Sequence, residues 1–149
     1  ESYNHKGTSF LEIYQNCNIF NDGAFSNFTD RNTKSDTVLW LKDGEPMVFG
    51  LDENKGIRLD GNIPTVVELG DKWNKDDLLV HNKKDYMIAS MLSNMTSKPD
   101  TPEPIGVLYA IDAPTYEDNI ASQISSVAKN KPKSSIQDII NSGDTWVVK

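Results

Sequence analysis

The stretch TSFLEIY at residues 8–14 decides the fold class, because it is apolar on both faces apart from Glu12. A short run without strict alternation is typical of a strand that is buried on both sides, as in a parallel sheet. The sequence QNCNIFNDG at residues 15–23 follows directly and is rich in loop formers, so it ends the strand. We therefore predict an α/β fold in which the buried strand 8–14 leads into a loop that carries Cys17.

The segment between residues 37 and 69 has the pattern of antiparallel structure. Apolar runs flank two Asp-Gly pairs, with residues 38–41 and 47–50 around Asp43-Gly44 and residues 56–59 and 64–68 around Asp60-Gly61. An Asp-Gly pair between apolar runs is a strong local signal for a hairpin. The sequence predicts two β-hairpins here.

Helical patterns dominate the second half of the chain. Met87, Met91, Leu92 and Met95 predict an amphipathic helix over residues 84–95, and we interpret this methionine stripe as core packing. A loop over residues 97–104 and a strand over residues 105–111 are expected next. Thr115 and Asp118 resemble a capping box for a helix that ends near Lys129. A short last helix is predicted from Ser134 to Ile140, and residues 74–82 fit no single pattern.

The charge balance argues against two classes of partner. The chain has 149 residues, with 22 acidic against 15 basic side chains and a net charge of −7. Phosphate backbones and anionic lipid surfaces both require a basic face. We therefore expect neither nucleic acid nor a membrane as a partner.

Cysteine usage and the N-terminal residues indicate the compartment. One cysteine, Cys17, excludes an internal disulfide and a multi-cysteine zinc site. The polar N-terminal stretch lacks the apolar core of a signal peptide, so we expect a cytoplasmic location. The chain begins without Met and reaches strand 8–14 at once. We expect that the beginning of this domain is missing, which would leave the apolar side chains of the strand exposed.

Few residues outside the Cys17 loop suggest chemistry. His5 and His81 have no neighbouring carboxylate or cysteine at a metal or triad spacing, so both are predicted to be ordinary surface residues. Phosphate-binding glycine loops and nucleophile elbows are absent from the sequence. Parallel sheets commonly place functional loops after a buried strand. Cys17 is therefore the candidate functional residue.

The sequence KGTSFLEIYQNCNIFNDGAF at residues 6–25 resembles the beta subunit of 2-oxoacid:ferredoxin oxidoreductases, and most of all the 2-oxoglutarate type. Weaker blocks continue the resemblance in the family's order: PMVFG at 46–50, DLLVH at 77–81, PIGVLY at 104–109, PTYE at 114–117 and GDTW at 143–146. The chain departs from the family at Ala113, where an arginine often stands.

The resemblance implies cofactors and site residues. Beta subunits of this family bind thiamine diphosphate and Mg²⁺ and carry a [4Fe–4S] cluster. They oxidatively decarboxylate the 2-oxoacid, here 2-oxoglutarate to succinyl-CoA, and pass electrons to ferredoxin. Cys17 matches one cluster ligand, and Asn16 and Asn18 could supply amide donors near the cluster or simply form turns. The other ligands of the iron and the magnesium motifs lie upstream, so this chain alone is expected to be inactive and free of cofactors.

The resemblance also implies domains and partners. Residues 1–30 would be the final strand and cluster-ligand loop of a three-layer αβα thiamine-diphosphate-binding domain, and residues 31–149 a C-terminal α+β extension. The expected partners are the remainder of the beta subunit, the alpha subunit and, indirectly, ferredoxin. Two alternatives stay open: a pyruvate-type member of the family, and a free-standing, non-catalytic interaction domain.

Overall fold

The computed structural model describes residues 1–96, 98, 100–131 and 134–148. They form two compact units. The first consists of Glu1–Tyr3 and Phe10–Ile111, and the second of Asn4–Ser9 and Asp112–Lys149. The predicted domain boundary between residues 30 and 31 lies inside the first unit and stays a prediction.

The first unit mixes short helices and short strands. Its elements in chain order are α1 (Ser26–Thr29), α2 (Lys34–Thr37), β1 (Val38–Trp40), β2 (Val48–Phe49), β3 (Lys55–Asp60), β4 (Ile63–Glu68), α3 (Tyr86–Met95) and β5 (Glu103–Ile105). The chain also has 3₁₀ turns at Ser2–Asn4 and Lys75–Asp77. Strands β1 and β5 pair in parallel, while β2, β3 and β4 form an antiparallel sheet. This combination confirms the predicted α/β class.

The second predicted hairpin is confirmed. Strands β3 and β4 pair from Lys55 opposite Glu68 to Asp60 opposite Ile63, which leaves Gly61 and Asn62 as the turn. Gly61 has φ +61°, the positive value that the first position of a type II′ turn requires.

The first predicted hairpin is wrong. The turn at Asp43-Gly44 does form, since the N–H of Glu45 donates to the carbonyl of Lys42 at 3.1 Å. The strands on its two sides pair with different neighbours, however: β1 with β5, and β2 with β3. Parallel pairing with β5 buries Leu39 completely, and this burial outweighs the local turn signal.

The predicted strand over residues 105–111 is also misplaced. Strand β5 covers Glu103–Ile105, inside part of the predicted loop. It ends at Gly106, whose φ of +132° is poorly accessible to other residues. A Cβ atom at this position would lie 3.1 Å from the carbonyl oxygen of Leu41, so a close approach of two backbones ends the strand.

Residues 8–14 do not form the predicted buried strand. None of residues 8–14 belongs to a β-strand of the described structure, and Phe10 is 88% exposed. Leu11 and Ile13 are exposed as well. A strand requires neighbours for its backbone hydrogen bonds. The apolar side chains of this segment are therefore exposed instead of buried.

The core of the first unit lies between α3 and both sheets. It consists of six buried residues: Leu39, Met47, Phe49, Ile57, Leu92 and Met95. The predicted helix over 84–95 is confirmed as α3, whose N-cap Asp85 accepts hydrogen bonds from the N–H groups of Met87 and Ile88. Of the methionine stripe, Leu92 and Met95 are buried, but Met87 is exposed.

The second unit contains α4 (Tyr116–Asn130) and α5 (Ile136–Ile140). The predicted capping box of Thr115 and Asp118 is confirmed, and Ser135 with Asp138 forms a second one at α5. No described residue of either helix is buried. Their apolar side chains, including Ile124 and Ile136, are exposed. Among the described ranges, no helix has the length and apolar character needed to cross a membrane.

Candidate functional site

The loop that carries Cys17 is a tight, internally bonded structure. The N–H of Asn21 donates to the carbonyl of Cys17 at 3.0 Å, which closes a turn over residues 18–20. The N–H of Ser26 donates to the carbonyl of Gly23 at 3.0 Å and leads the chain into α1. These backbone hydrogen bonds lie within the loop, although its residues are exposed.

Asn16 organises this loop through its side chain. Its Oδ1 accepts from the N–H of Gly23 at 2.9 Å, and its Nδ2 donates to Asn18 Oδ1 at 2.9 Å and to Asp22 Oδ1 at 2.8 Å. Both N–H groups of the amide are therefore used inside the loop. This arrangement favours turn formation, the second of the two roles considered for Asn16 and Asn18.

Cys17 is an exposed free thiol. Backbone N–H groups of Phe20 and then of Ile19 lower the pKa of this thiol, and that of Asn21 adds to the effect. Such donors stabilise the negative charge of a thiolate. A lowered pKa and an exposed side chain are typical of a reactive or metal-binding cysteine and not of a buried structural one.

Aromatic stacking closes the base of the loop. The ring of Tyr14 stacks on that of Phe25, with centroids 4.9 Å apart and planes inclined by 9°. Tyr14 also contacts the ring of Phe28 at 6.1 Å. Because Tyr14 precedes the loop and Phe25 follows it, this stack fixes the two ends beside each other.

A buried carboxylate attaches the loop base to the parallel strand pair. The hydroxyl of Tyr14 donates to Glu103 Oε1, and Glu103 lies on β5 with only 4% of its surface exposed. Burial and the Glu103 carboxylate raise the pKa of Tyr14 to about 12. Sequence reasoning missed this pair, since the two residues are far apart in the chain and neither belongs to a recognisable motif.

A complete metal centre is not formed by the described residues themselves. No group of three or more His, Cys, Asp or Glu side chains among them could hold a metal ion. The soft metal ligand that this loop offers is the sulfur atom of Cys17. Cys17 could thus serve as a single thiolate ligand to a centre whose other ligands come from elsewhere.

His81 is buried, contrary to the prediction that it is an ordinary surface residue. It is 2% exposed, and its Nε2 lies 2.8 Å from the carbonyl oxygen of Val107. The apolar run Leu78-Leu79-Val80 in front of it is the signal that could have indicated burial.

Comparison with curated proteins decides which family this chain resembles. The chain is similar to a 2-oxoglutarate oxidoreductase subunit. The relative is subunit KorB of Mycobacterium tuberculosis, with 29% identity over 148 residues. The aligned region covers 97% of this chain and 39% of KorB. No family model and no solved structure matches the chain.

The similarity to KorB confirms the resemblance that was inferred from the Cys17 stretch and the later blocks. It extends over nearly all of this chain, so it covers the loop and both compact units. The chain spans only about two fifths of the length of KorB.

Proposed function

We propose that this chain is the C-terminal part of the beta subunit of a 2-oxoacid:ferredoxin oxidoreductase, with Cys17 as one ligand of a [4Fe–4S] cluster. The observation that carries the proposal is the Cys17 loop. It combines an exposed thiol of lowered pKa with a similarity to KorB that spans the chain. The substrate we propose is 2-oxoglutarate, which is converted to succinyl-CoA.

The chemistry of Cys17 fits an iron–sulfur ligand. Iron–sulfur clusters are held by thiolates, and hydrogen bonds to the sulfur atoms tune their reduction potentials. The backbone N–H groups of Phe20, Ile19 and Asn21 favour the thiolate. Protein groups around a metal ligand commonly orient and tune it in this way.

The resemblance implies a division of labour in the complete enzyme. Thiamine diphosphate with Mg²⁺ would supply the carbanion chemistry of decarboxylation, and the cluster would supply one-electron transfer towards ferredoxin. In this proposal the chain contributes the cluster-ligand loop. Its direct partners in the proposal are the remainder of the beta subunit and the alpha subunit, and ferredoxin receives the electrons.

Iron content of a Cys17→Ser variant tests the proposal. In the complete subunit, this substitution replaces a soft sulfur ligand by a hydroxyl and should lower both bound iron and acid-labile sulfide. Ser26→Ala is the matched control, because Ser26 is also exposed and lies at the end of the same loop. Full iron and sulfide in Cys17→Ser would exclude the ligand role.

A free-standing interaction domain is the second candidate, and the exposed apolar side chains favour it. Phe10 lies in the first unit and Ile124 on α4 of the second, and both are largely exposed. The encoding reading frame separates the two candidates. An upstream Cys-x-x-Cys pair and a Gly-Asp-Gly motif support the oxidoreductase subunit, while a start codon immediately before the codon of Glu1 supports the interaction domain.

A further inference from the structure

Two aromatic side chains lie at the ends of the Cys17 loop, residues 15–23. Tyr14 precedes the loop and Phe25 follows it, and their rings stack with centroids 4.9 Å apart and planes inclined by 9°. A flexible segment loses conformational freedom when its ends are brought together. The stack therefore restricts the positions that Cys17 can take.

Tyr14 also connects the loop to the core of the first unit. Its hydroxyl donates to Glu103 Oε1, and Glu103 is a buried residue of β5. The next residue of β5, Pro104, lies opposite the core residue Leu39. A hydrogen bond to a buried charged acceptor is stronger than one between exposed groups, because water competes less for it. Tyr14 therefore holds one end of the loop at β5.

The hydrogen bonds inside the loop join exposed groups to one another. Asn16 Oδ1 accepts from the N–H of Gly23 at 2.9 Å, and Asn16 Nδ2 donates to Asp22 Oδ1 at 2.8 Å. Water competes with bonds between exposed groups, so each contributes little. These bonds also leave the loop unattached to the sheets. The contacts of Tyr14 provide the attachment that the internal bonds do not.

We propose that Tyr14 is a positioning residue for Cys17. Stacked on Phe25 and bonded to Glu103, Tyr14 keeps the Cys17 loop closed beside β5 and so presents the thiol in one place. A metal ligand has to be held where the other ligands reach the same ion, and surrounding groups commonly provide this orientation. The inference rests on the proposed function for the metal centre, whereas closure of the loop concerns this chain alone.

A nitroxide spin label on Cys17 tests the closure. Cys17 is the one cysteine of the sequence and is exposed, so a methanethiosulfonate label needs no other substitution. Tyr14→Leu removes both the stack and the hydrogen bond, and we expect it to shorten the rotational correlation time of the label about twofold, seen as a narrower central EPR line. Tyr86→Leu is the matched control. It removes the edge contact with Tyr109 in the same unit and should leave the line unchanged.

Further variants separate the stack from the hydrogen bond. Phe25→Leu removes the stack alone and should also narrow the line. Combining it with Tyr14→Leu should add nothing, because both substitutions break the same contact. Glu103→Met removes the acceptor and should narrow the line, whereas Glu103→Gln should preserve it, since the amide oxygen still accepts from the hydroxyl. Phe25 is not among the buried core residues, so Phe25→Leu tests the stack even if a Glu103 variant fails to fold.

Three EPR results would overturn the positioning role. They are an unchanged line in Tyr14→Leu and Phe25→Leu, equal narrowing in Tyr86→Leu, and equal narrowing in Glu103→Gln and Glu103→Met. In the complete subunit, Tyr14→Leu should lose iron to a chelator faster than Tyr86→Leu, and equal rates would contradict the role at the loaded centre.

The positioning role and the ligand role fail separately. Full iron in Cys17→Ser with a narrowed EPR line in Tyr14→Leu refutes the ligand role and supports closure of the loop by Tyr14. Lowered iron in Cys17→Ser with unchanged lines in Tyr14→Leu and Phe25→Leu supports the ligand role and refutes positioning by Tyr14.

Discussion

Cys17 differs from a structural cysteine through its backbone neighbours. The N–H groups of Phe20, Ile19 and Asn21 lower the pKa of its thiol, and the side chain is exposed. The thiolate is the form of cysteine that reacts with electrophiles and binds metal. The loop therefore favours both reactions of Cys17 through its own backbone groups.

The pH dependence of alkylation is expected to reveal this thiolate. The rate with iodoacetamide should reach half its maximum at a lower pH for Cys17 in the folded chain than for the same residue in a peptide of residues 14–21. The reason is that the folded loop holds these N–H groups beside the thiol, whereas a short peptide spreads over many conformations. Identical profiles in chain and peptide would refute the effect.

Tyr14→Phe should destabilise the first unit by about 1–3 kcal/mol, because it leaves the buried carboxylate of Glu103 without its donor. Chemical denaturation measures the free energy of unfolding. Tyr3→Phe is the control, since Tyr3 is 98% exposed. Equal stability of both variants would contradict a structural role for the Tyr14–Glu103 bond.

The same pair predicts a loss of stability in alkali. The pKa of Tyr14 is raised to about 12 in the folded chain, above the value of about 10 in unfolded chains. The unfolded state therefore loses its proton first, and the free energy of unfolding falls as the pH rises from about 10 to 12. Denaturation midpoints across this range should fall less steeply in Tyr14→Phe than in the original chain.

Strand β3 contains a glycine for reasons of packing. A Cβ atom at Gly56 would overlap both methyl groups of Leu78, a buried residue. Gly56→Ala should therefore lower the free energy of unfolding by about 1–3 kcal/mol through overpacking. Gly70→Ala is the matched control, because nothing lies within 4 Å of a Cβ atom there. Thermal unfolding of the two variants tests the difference.

Elements with local signals were predictable from the sequence. The signals that predict α3 and α4 are apolar periodicity and capping residues, and the signal for the β3–β4 hairpin is its turn. Each of these signals lies within a short stretch of sequence. The parallel pairing of β1 with β5 has no such signal, because it depends on burial of Leu39 against residues far away in the chain. The predicted turn at Asp43-Gly44 is therefore present, whereas the predicted pairing of the strands on its two sides is wrong.

The candidate site was predictable only in part. The position of Cys17 in a loop followed from the loop-forming residues around it, while its backbone donors depend on turn geometry that no residue pattern specifies. The burial of His81 and Glu103 results from tertiary packing. Isolated polar residues of this kind look like surface residues in a sequence.

The exposed apolar residues in the segment 8–14 should drive association of the whole chain. Burying a large apolar side chain contributes about 1.5–3 kcal/mol, and Phe10, Leu11 and Ile13 are all exposed. We expect dimers or larger species in light scattering at micromolar concentration. Ile13→Lys should reduce their population, and Leu51→Lys, at another exposed apolar position, should not. A monomeric chain would contradict this expectation.

The parallel pairing of β1 with β5 also constrains the order in which the chain can fold. The β3–β4 hairpin joins neighbouring residues, so it can form as soon as residues 55–68 have left the ribosome. Leu39 opposes Pro104 across β1 and β5, and this contact must wait until the whole intervening segment has been synthesised. Closing so long a loop is entropically unfavourable and slows folding. Until then, the nascent chain exposes β1 to chaperones and to other chains.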